Sequence, residues 1–329
     1  MDERQWALVR CLADGQFHSG EALARALGLT RSAVWKMLHN IAATLGLALQ
    51  AERGRGYRLA QPLELLDAAL IAADLSAVGR ARLQRLAIHP VIDSTNSELM
   101  RLAAAGAPSG SVCLAERQTA GRGRRGRDWV SPFGANLYAS LLWRYPFAPT
   151  HLGGASLAVG VVLADTLREL GATGLALKWP NDLLWQQRKL AGLLLEVAGE
   201  SQGPCYLVVG LGLNLRMTDA QGSAIDQPWT SLDVVLGERQ IGRNQLVARL
   251  LDRLFDALDR YERDGLASVL DRWRVYDAYL GQPVQVQIGE RVMIGIAAGI
   301  AADGSLVVDT PDGRRMFQSG EVSLRPVDR

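Results

Sequence analysis

Gly121-Arg122-Gly123-Arg124-Arg125-Gly126-Arg127 is the stretch on which the reading of this chain turns. Four arginines and three glycines in seven residues cannot pack a core, and repulsion among the guanidinium groups favours a mobile loop unless an anion is present. Guanidinium forks hold phosphate and carboxylate oxygens in pairs, and glycine lets the backbone approach a ligand closely. Such a loop suits a clamp that orders on an anionic ligand and shuts water out. The run satisfies G-x-G-x-x-G, but the dinucleotide fingerprint opens a helix and wants an acid about twenty residues on. Here a strand pattern follows, and no acid stands between Asp128 and Asp165. Walker A fails too, because no G-K-[ST] occurs. A polyanion-binding basic run and a solvated surface loop stay open as alternatives at this point.

The neighbouring motifs favour the clamp. Lys178-Trp179-Pro180-Asn181-Asp182 ends a strand in a proline turn and Arg188-Lys189-Leu190-Ala191-Gly192 begins the next, so a hairpin would bring both lysines near one sheet end. Asp93-Ser94-Thr95-Asn96 opens a helix and offers hydroxyls, an amide and a helix N-terminus to a polar ligand. Gly210-Leu211-Gly212-Leu213-Asn214 closes an apolar strand with glycines where a flat ring could lie against the backbone. Taken singly, these are also a capped helix, a tight turn, a solvated lysine and a strand end. Strands are predicted over 87–92, 111–116, 136–143, 175–179, 189–197 and 205–211, with helices near 94–105, 152–170 and 244–263. That alternation predicts a mixed sheet with helices packed on it, entered through a Leu- and Ala-rich helical connector over 62–85.

The first sixty residues have a different character. Trp6, Val9 and Leu12 share one helical face; Ser19 caps a second helix that Gly28 ends; Thr30 caps a third with core positions Val34, Met37, Leu38 and Ile41. The opposite face of the third shows Arg31, Ser32, Trp35, Lys36 and His39. An alternating segment, 47–59, follows, broken by Arg53-Gly54-Arg55-Gly56, which reads as a hairpin wing with Arg53 and Arg55 reaching phosphates. This is a helix-turn-helix with a basic wing; a helical protein-interaction domain is the alternative. Trp35 could equally pack against the wing. Eight Lys/Arg against five acids give residues 1–60 a charge of +3 within a chain of net +2, so the basic groups are concentrated there.

With 329 residues, 48% of them hydrophobic, the chain predicts two or three domains, one of enzymatic size. No uninterrupted apolar span of bilayer length is evident, and Met1-Asp2-Glu3-Arg4 is not the start of a secretory signal, so a cytoplasmic protein with no membrane role is expected. Cys11, Cys113 and Cys205 form no C-x-x-C pair, and His18, His39, His89 and His151 show no ligand spacing, so no protein-bound transition metal is expected.

In its motifs the chain resembles the family of bifunctional biotin-protein ligases and biotin operon repressors. G-R-G-R-R-G-R, S-P-F-G-A-N-L-Y (131–138), K-W-P-N-D and R-K-L-A-G stand in that family's order, and the resemblance covers essentially the whole chain. It implies an α+β protein: a winged helix-turn-helix over 1–62, a connector over 63–85, a class II aminoacyl-tRNA synthetase-like catalytic domain of mixed sheet and helices over 86–278, and an SH3-like β-barrel over 279–329. Short alternating segments at 284–288 and 306–309, with turn signals at Gly289, Gly304 and Gly313, suit the barrel.

The resemblance implies an ATP-dependent ligase that forms biotinyl-5'-AMP from biotin and ATP, with Mg2+ accompanying the nucleotide. Biotin then passes to a lysine of the biotin carboxyl carrier domain of acetyl-CoA carboxylase. It also implies a repressor of biotin synthesis genes that binds its operator as an adenylate-bound homodimer. By the same resemblance Ser94, Thr95, Asn96, Gln118, Arg122, Gly123, Arg124 and Lys189 bind biotin, while Arg124, Trp129, Lys178, Asn214 and Trp229 serve the nucleotide. Joining a carboxylate to the α-phosphate brings two anions together, so fixed cations must offset their repulsion; Lys189 and Arg124 are assigned that role. Asp182 is the candidate positioner or base for the acceptor amine, with a polar turn residue the alternative. A ligand sensor without catalysis and a lipoate-type ligase are the rival readings; Lys189 with the full arginine loop opposes the first, and the DNA-binding head opposes the second.

Overall fold

The computed structural model describes residues 1–319 and 322–326. Three capped helices begin it. Asp2 and Gln5 form a capping box at α1 (Glu3–Leu12). Ser19 accepts from the Ala22 amide at α2 (Gly20–Leu27), and Thr30 accepts from the Ala33 amide at α3 (Arg31–Leu45). Leu8, Leu12, Leu23, Val34, Leu38 and Ile41 close a small core between them. β1 (Leu49–Glu52) and β2 (Gly56–Leu59) pair antiparallel as the wing. Gly56, at φ 108, passes so near the His18 carbonyl that a Cβ would lie 2.0 Å from its oxygen, which fixes glycine there. Trp35 is 49% exposed and lies tilted against His39, with ring centroids 4.4 Å apart. It therefore stays on the reading face and does not pack against the wing.

The connector forms α4 (Ala68–Asp74) and α5 (Ala77–Arg82). Beyond it come β3 (Arg85–His89), α6 (Thr95–Ala104), β4 (Ser111–Ala115), β5 (Leu137–Tyr145), α7 (Ala155–Glu169), β6 (Leu175–Lys178), β7 (Asp182–Trp185), β8 (Arg188–Gly199), β9 (Cys205–Leu213), α8 (Leu232–Leu236), α9 (Arg243–Asp264) and α10 (Leu270–Tyr276). The strands lie in the order β3-β4-β5-β9-β8-β7-β6, parallel only between β3 and β4. Each predicted strand and helix is present with its ends moved by a few residues, while β7 was read only as a turn.

Residue alternation sorts the sheet into two faces. Leu207, Val209, Leu211 and Leu213 of β9 join the large core that includes α7 and α9. Val208 faces the other way, with Cys113 and Leu142, against Leu99 and Ala103 of α6. Gly210 and Gly212 continue that second face beyond the helix. Residues 149–169 have the length and apolarity to cross a membrane, contrary to the sequence reading, but 67% of the apolar window is buried inside the fold as a core helix.

The C-terminal segment is a five-stranded antiparallel sheet: β10 (Pro283–Ile288), β11 (Arg291–Ile300), β12 (Leu306–Thr310), β13 (Gly313–Phe317) and β14 (Val322–Pro326), in the order β13-β12-β11-β10-β14. Its Val284, Val286, Leu306 and Val308 belong to the same core as the central sheet, and Trp179 Nε1 donates to the Gly304 carbonyl at 3.0 Å. A wholly buried ion pair, Arg243 Nη1 to Glu116 Oε2 at 2.8 Å, ties α9 to the end of β4. Arg243 also donates to the Glu64 and Asn136 carbonyls, and Glu116 accepts from the Leu66 amide.

Candidate functional site

A cleft of about 1000 Å3, its open mouth included, lies over the glycine-bearing end of the sheet. Its floor follows from strand register, because directly paired residues of antiparallel strands face the same side. Gly212 pairs with Tyr138 and Gly192, Gly210 with Ser140 and Leu194, and Val208 with Glu196. Where Val208 fills space under α6, the glycines leave it empty for side chains from above. A Cβ on Gly212 would sit 2.4 Å from the Trp129 ring, one on Gly192 3.0 Å from the same ring, and one on Gly210 2.2 Å from Asn96 Oδ1. Glycine is therefore required at 210 and 212 for Asn96 and Trp129 to lie on the sheet.

Asn96 and its neighbours come from the start of α6, where the Ser94 hydroxyl accepts from the Ser97 amide. Ser94, Thr95 and Asn96 are each under 5% exposed, and all three side chains are hydrogen-bonded. The Thr95 amide and hydroxyl donate to Gln118 Oε1 at 2.8 and 3.1 Å. Ser140 Oγ donates to Asn96 Oδ1 at 2.6 Å, and Asn96 Nδ2 donates to the Leu194 carbonyl and to Glu196. The Gly-Arg segment is a small hairpin closed by Gly123 N to Arg127 O at 2.7 Å and Trp129 N to Gly121 O at 2.9 Å, with Arg125 in the left-handed region at φ 58. Arg122 reaches Glu196 at 3.0 Å, and Arg124 donates to Asn181 Oδ1 at 3.2 Å and to the Ser319 carbonyl, in the bend that follows the strand Gly313–Phe317.

The opposite end of the cleft is cationic. Lys189 Nζ lies 2.8 Å from Asp182 Oδ1, both side chains under a fifth exposed, and 5.4 Å from the centre of the Trp129 ring. The β7–β8 hairpin sets this geometry: its turn places Gln186 and Gln187 at φ 48 and 63, and Lys189 comes out opposite Leu184 beside Asp182. Lys178, at the end of β6, pairs with Asp182 across the strands. Burial lowers its pKa, with Asp182 opposing that shift and Lys189 adding to it. Burial likewise lowers the pKa of Arg124. Such cations gain most from an arriving phosphate, which restores the interactions that desolvation removed.

Of the residues singled out from sequence, Ser94, Thr95, Asn96, Gln118, Arg122, Gly123, Arg124, Trp129, Lys178, Asp182 and Lys189 line this cleft together. Asn214 and Trp229 do not. Asn214 is 3% exposed and its amide is spent on Asn136 Nδ2 and the Thr230 carbonyl, while the Trp229 ring covers Gly222 and its backbone pairs with that of Lys189. Asn181, Gln227 and Leu324 also line the cleft, and Glu196 lies beside it; no sequence signal assigns them a role, since Asn181 is an inner position of the K-W-P-N-D motif and the others are single residues in segments without a chemical signature. Arg31, Ser32, Trp35, Lys36, Arg53 and Arg55 are all exposed on the head, away from the cleft. Arg55 is held by Glu52 at 2.9 Å and lies 4.1 Å over the Phe17 ring.

Comparison with known proteins agrees with this division. Residues 88–214 match the Biotin/lipoate A/B protein ligase family, residues 279–325 the Biotin protein ligase C terminal domain, and residues 4–58 an HTH domain. The bifunctional ligase/repressor BirA of Escherichia coli is 40% identical over 323 residues, 98% of this chain and 97% of that protein. The biotin--[acetyl-CoA-carboxylase] ligase of Mycobacterium tuberculosis is 35% identical over 70% of this chain and 85% of its own. Among solved structures, the biotin protein ligase from Aquifex aeolicus in complex with biotin and ATP superposes with a TM-score of 0.63 at 28% identity, covering 74% of this chain and all of that one. A glycine-floored cleft with lysines at one end, a DNA-binding head and full-length similarity at this level have one common source: the chain belongs to the family of bifunctional biotin-protein ligases and biotin operon repressors.

Proposed function

We propose that this chain joins biotin to ATP as biotinyl-5'-AMP, transfers biotin to a lysine of a biotin carboxyl carrier domain, and represses biotin synthesis genes through its head. One observation carries the enzymatic part: Lys178, Lys189 and Arg124 converge on one end of a cleft whose glycine floor runs under Trp129 to a slot at Thr95 and Asn96. The slot accommodates the ring system and the cations accommodate the two anions that must meet.

In the first step a carboxylate oxygen attacks the α-phosphorus, the acyl–phosphate bond forms, and the bond to the β-phosphate breaks as pyrophosphate leaves. Lys189 and Arg124 offset charge on the oxygens as it builds, and Lys178 holds the phosphates. In the second step the neutral acceptor amine attacks the acyl carbon, the acyl–phosphate bond breaks as AMP departs, and the amine's proton is lost to solvent. Asp182, already paired with Lys189, acts by orienting that ammonium; to take the amine's proton it would first have to leave its partner. Among the described residues no group of three or more His, Cys, Asp or Glu could hold a metal ion. Mg2+ bound to the nucleotide would neutralise part of its phosphate charge.

The central sheet is read as class II synthetase-like and the C-terminal sheet as an SH3-like barrel. Adenylate-dependent homodimerisation would offer two copies of α3 to a two-fold operator. The test is incubation of the purified protein with ATP, magnesium, labelled biotin and a carrier domain. Label on the carrier lysine is expected; a carrier left unlabelled with active protein contradicts the assignment.

A further inference from the structure

Glu196 lies just beyond the cleft lining and joins two residues that do line it, Arg122 and Asn96. Arg122 Nη2 donates to its two oxygens at 3.1 and 3.0 Å, and Asn96 Nδ2 donates to Oε2 at 2.8 Å. One carboxylate thus holds the Gly-Arg hairpin on one side and the start of α6 on the other. Its place on β8 is set by register: Gly192, Leu194 and Glu196 share one face of the strand, the first two in the cleft floor and Glu196 four residues beyond Gly192, about 13 Å along the strand. That is the end away from Lys189 and Asp182. Pairing with β7 stops at Gly192, so nothing from that strand fixes the hairpin here. Asn96 is in turn completely committed, its oxygen to Ser140 and its nitrogen to Leu194 and Glu196.

We propose that Glu196 is a positioning residue that latches the Gly-Arg hairpin to the start of α6, closing it over the ring end of the substrate. The inference rests on the biotin-adenylating reading. The bonds are charge-assisted and lie away from the reacting groups, so the latch acts on how long the ring end is retained rather than on the chemical step. Glu196→Gln keeps the shape and the acceptor for Asn96 but removes the charge that holds Arg122.

The experiment measures KM for biotin, KM for ATP, kcat, and the rate at which preformed adenylate escapes into a chase of unlabelled biotin, for wild type, E196Q, R122Q and the double variant. Expected are a rise of about tenfold in KM for biotin and in escape rate for E196Q, with KM for ATP and kcat within about twofold. In the R122Q background, on an exposed hairpin whose change leaves the core intact, E196Q should add nothing. Equal losses in both KM values, a fall confined to kcat, or additive losses in the double variant would overturn the latch. A wild-type protein that forms no adenylate would instead remove the reaction, and the latch with it.

Discussion

Lys189 is held on three sides: its ammonium by Asp182, its alkyl chain by the floor at Gly192, and its backbone by hydrogen bonds with Pro228 and Thr230. A side chain held this firmly meets a developing charge without reorganisation. Lys189→Ala should lower adenylate formation by about 10²–10³-fold, the usual cost of losing one such contact, with little change in thermal stability. Pyrophosphate release with matched melting curves checks this; unchanged release would take Lys189 out of the mechanism. Lys178 gives a separate test through pH. Burial lowers its pKa, and phosphate oxygens favour the charged form, so nucleotide binding takes up a proton once pH exceeds the free-site value. Affinity is full below that value and falls as pH rises through it, earlier than an ordinary lysine would dictate. Titration of a non-hydrolysable ATP analogue from about pH 7 to about pH 10 should show this fall in wild type and lose it in Lys178→Met.

At the scale of elements, the segment from the Gly-Arg hairpin to β5 links cleft and head. Trp129 lies on Gly212, and four residues on Phe133, 2% exposed, sits in the core of the head with the Trp6 ring 6.4 Å away. Arg117, just before the hairpin, donates to the Thr44 carbonyl of α3. Phe133→Ala should cost about 3–5 kcal/mol of stability and also raise KM for biotin, since the anchor of the Trp129 segment is lost. A destabilised head with unaltered KM would show that the link bears no load. Phe133 was quoted from sequence only as part of a motif, because an apolar residue in a loop does not name the core it joins. The same limit explains β7. A hairpin turn with two positive φ values is normally signalled by Asn-Gly, and here it is built by Gln186-Gln187. The strands and helices with clear periodicity, the capped starts of α2 and α3, and the place of the arginine loop are legible because their signals are local; that the loop closes as a hairpin without an anion is not, because Glu196 and Asn181 supply the partners from far along the chain. Glu196 was not legible, because its role depends on Arg122 and Asn96, seventy-four and a hundred positions away.

Across the whole molecule the connector, the central sheet and α9 meet at the Arg243–Glu116 pair, which is entirely out of water. Removing one partner of such a pair leaves an uncompensated buried charge, at a cost of about 3–5 kcal/mol. Arg243→Met should therefore lower the denaturation midpoint sharply, and adding Glu116→Gln should recover part of the loss; a single variant as stable as wild type would show that the pair does not hold the layers together. Asn136, whose carbonyl accepts from Arg243, continues through Asn214 to the segment beside Lys189, so the scaffold and the cationic end of the cleft are one hydrogen-bonded unit. That cationic end is what the account rests on, and the most direct measurement is a single turnover of the full chain with biotin and ATP in the absence of any acceptor. The account predicts about one pyrophosphate released per chain and a biotinyl adenylate that stays with the protein through gel filtration; release of no pyrophosphate and recovery of intact ATP and free biotin would contradict it.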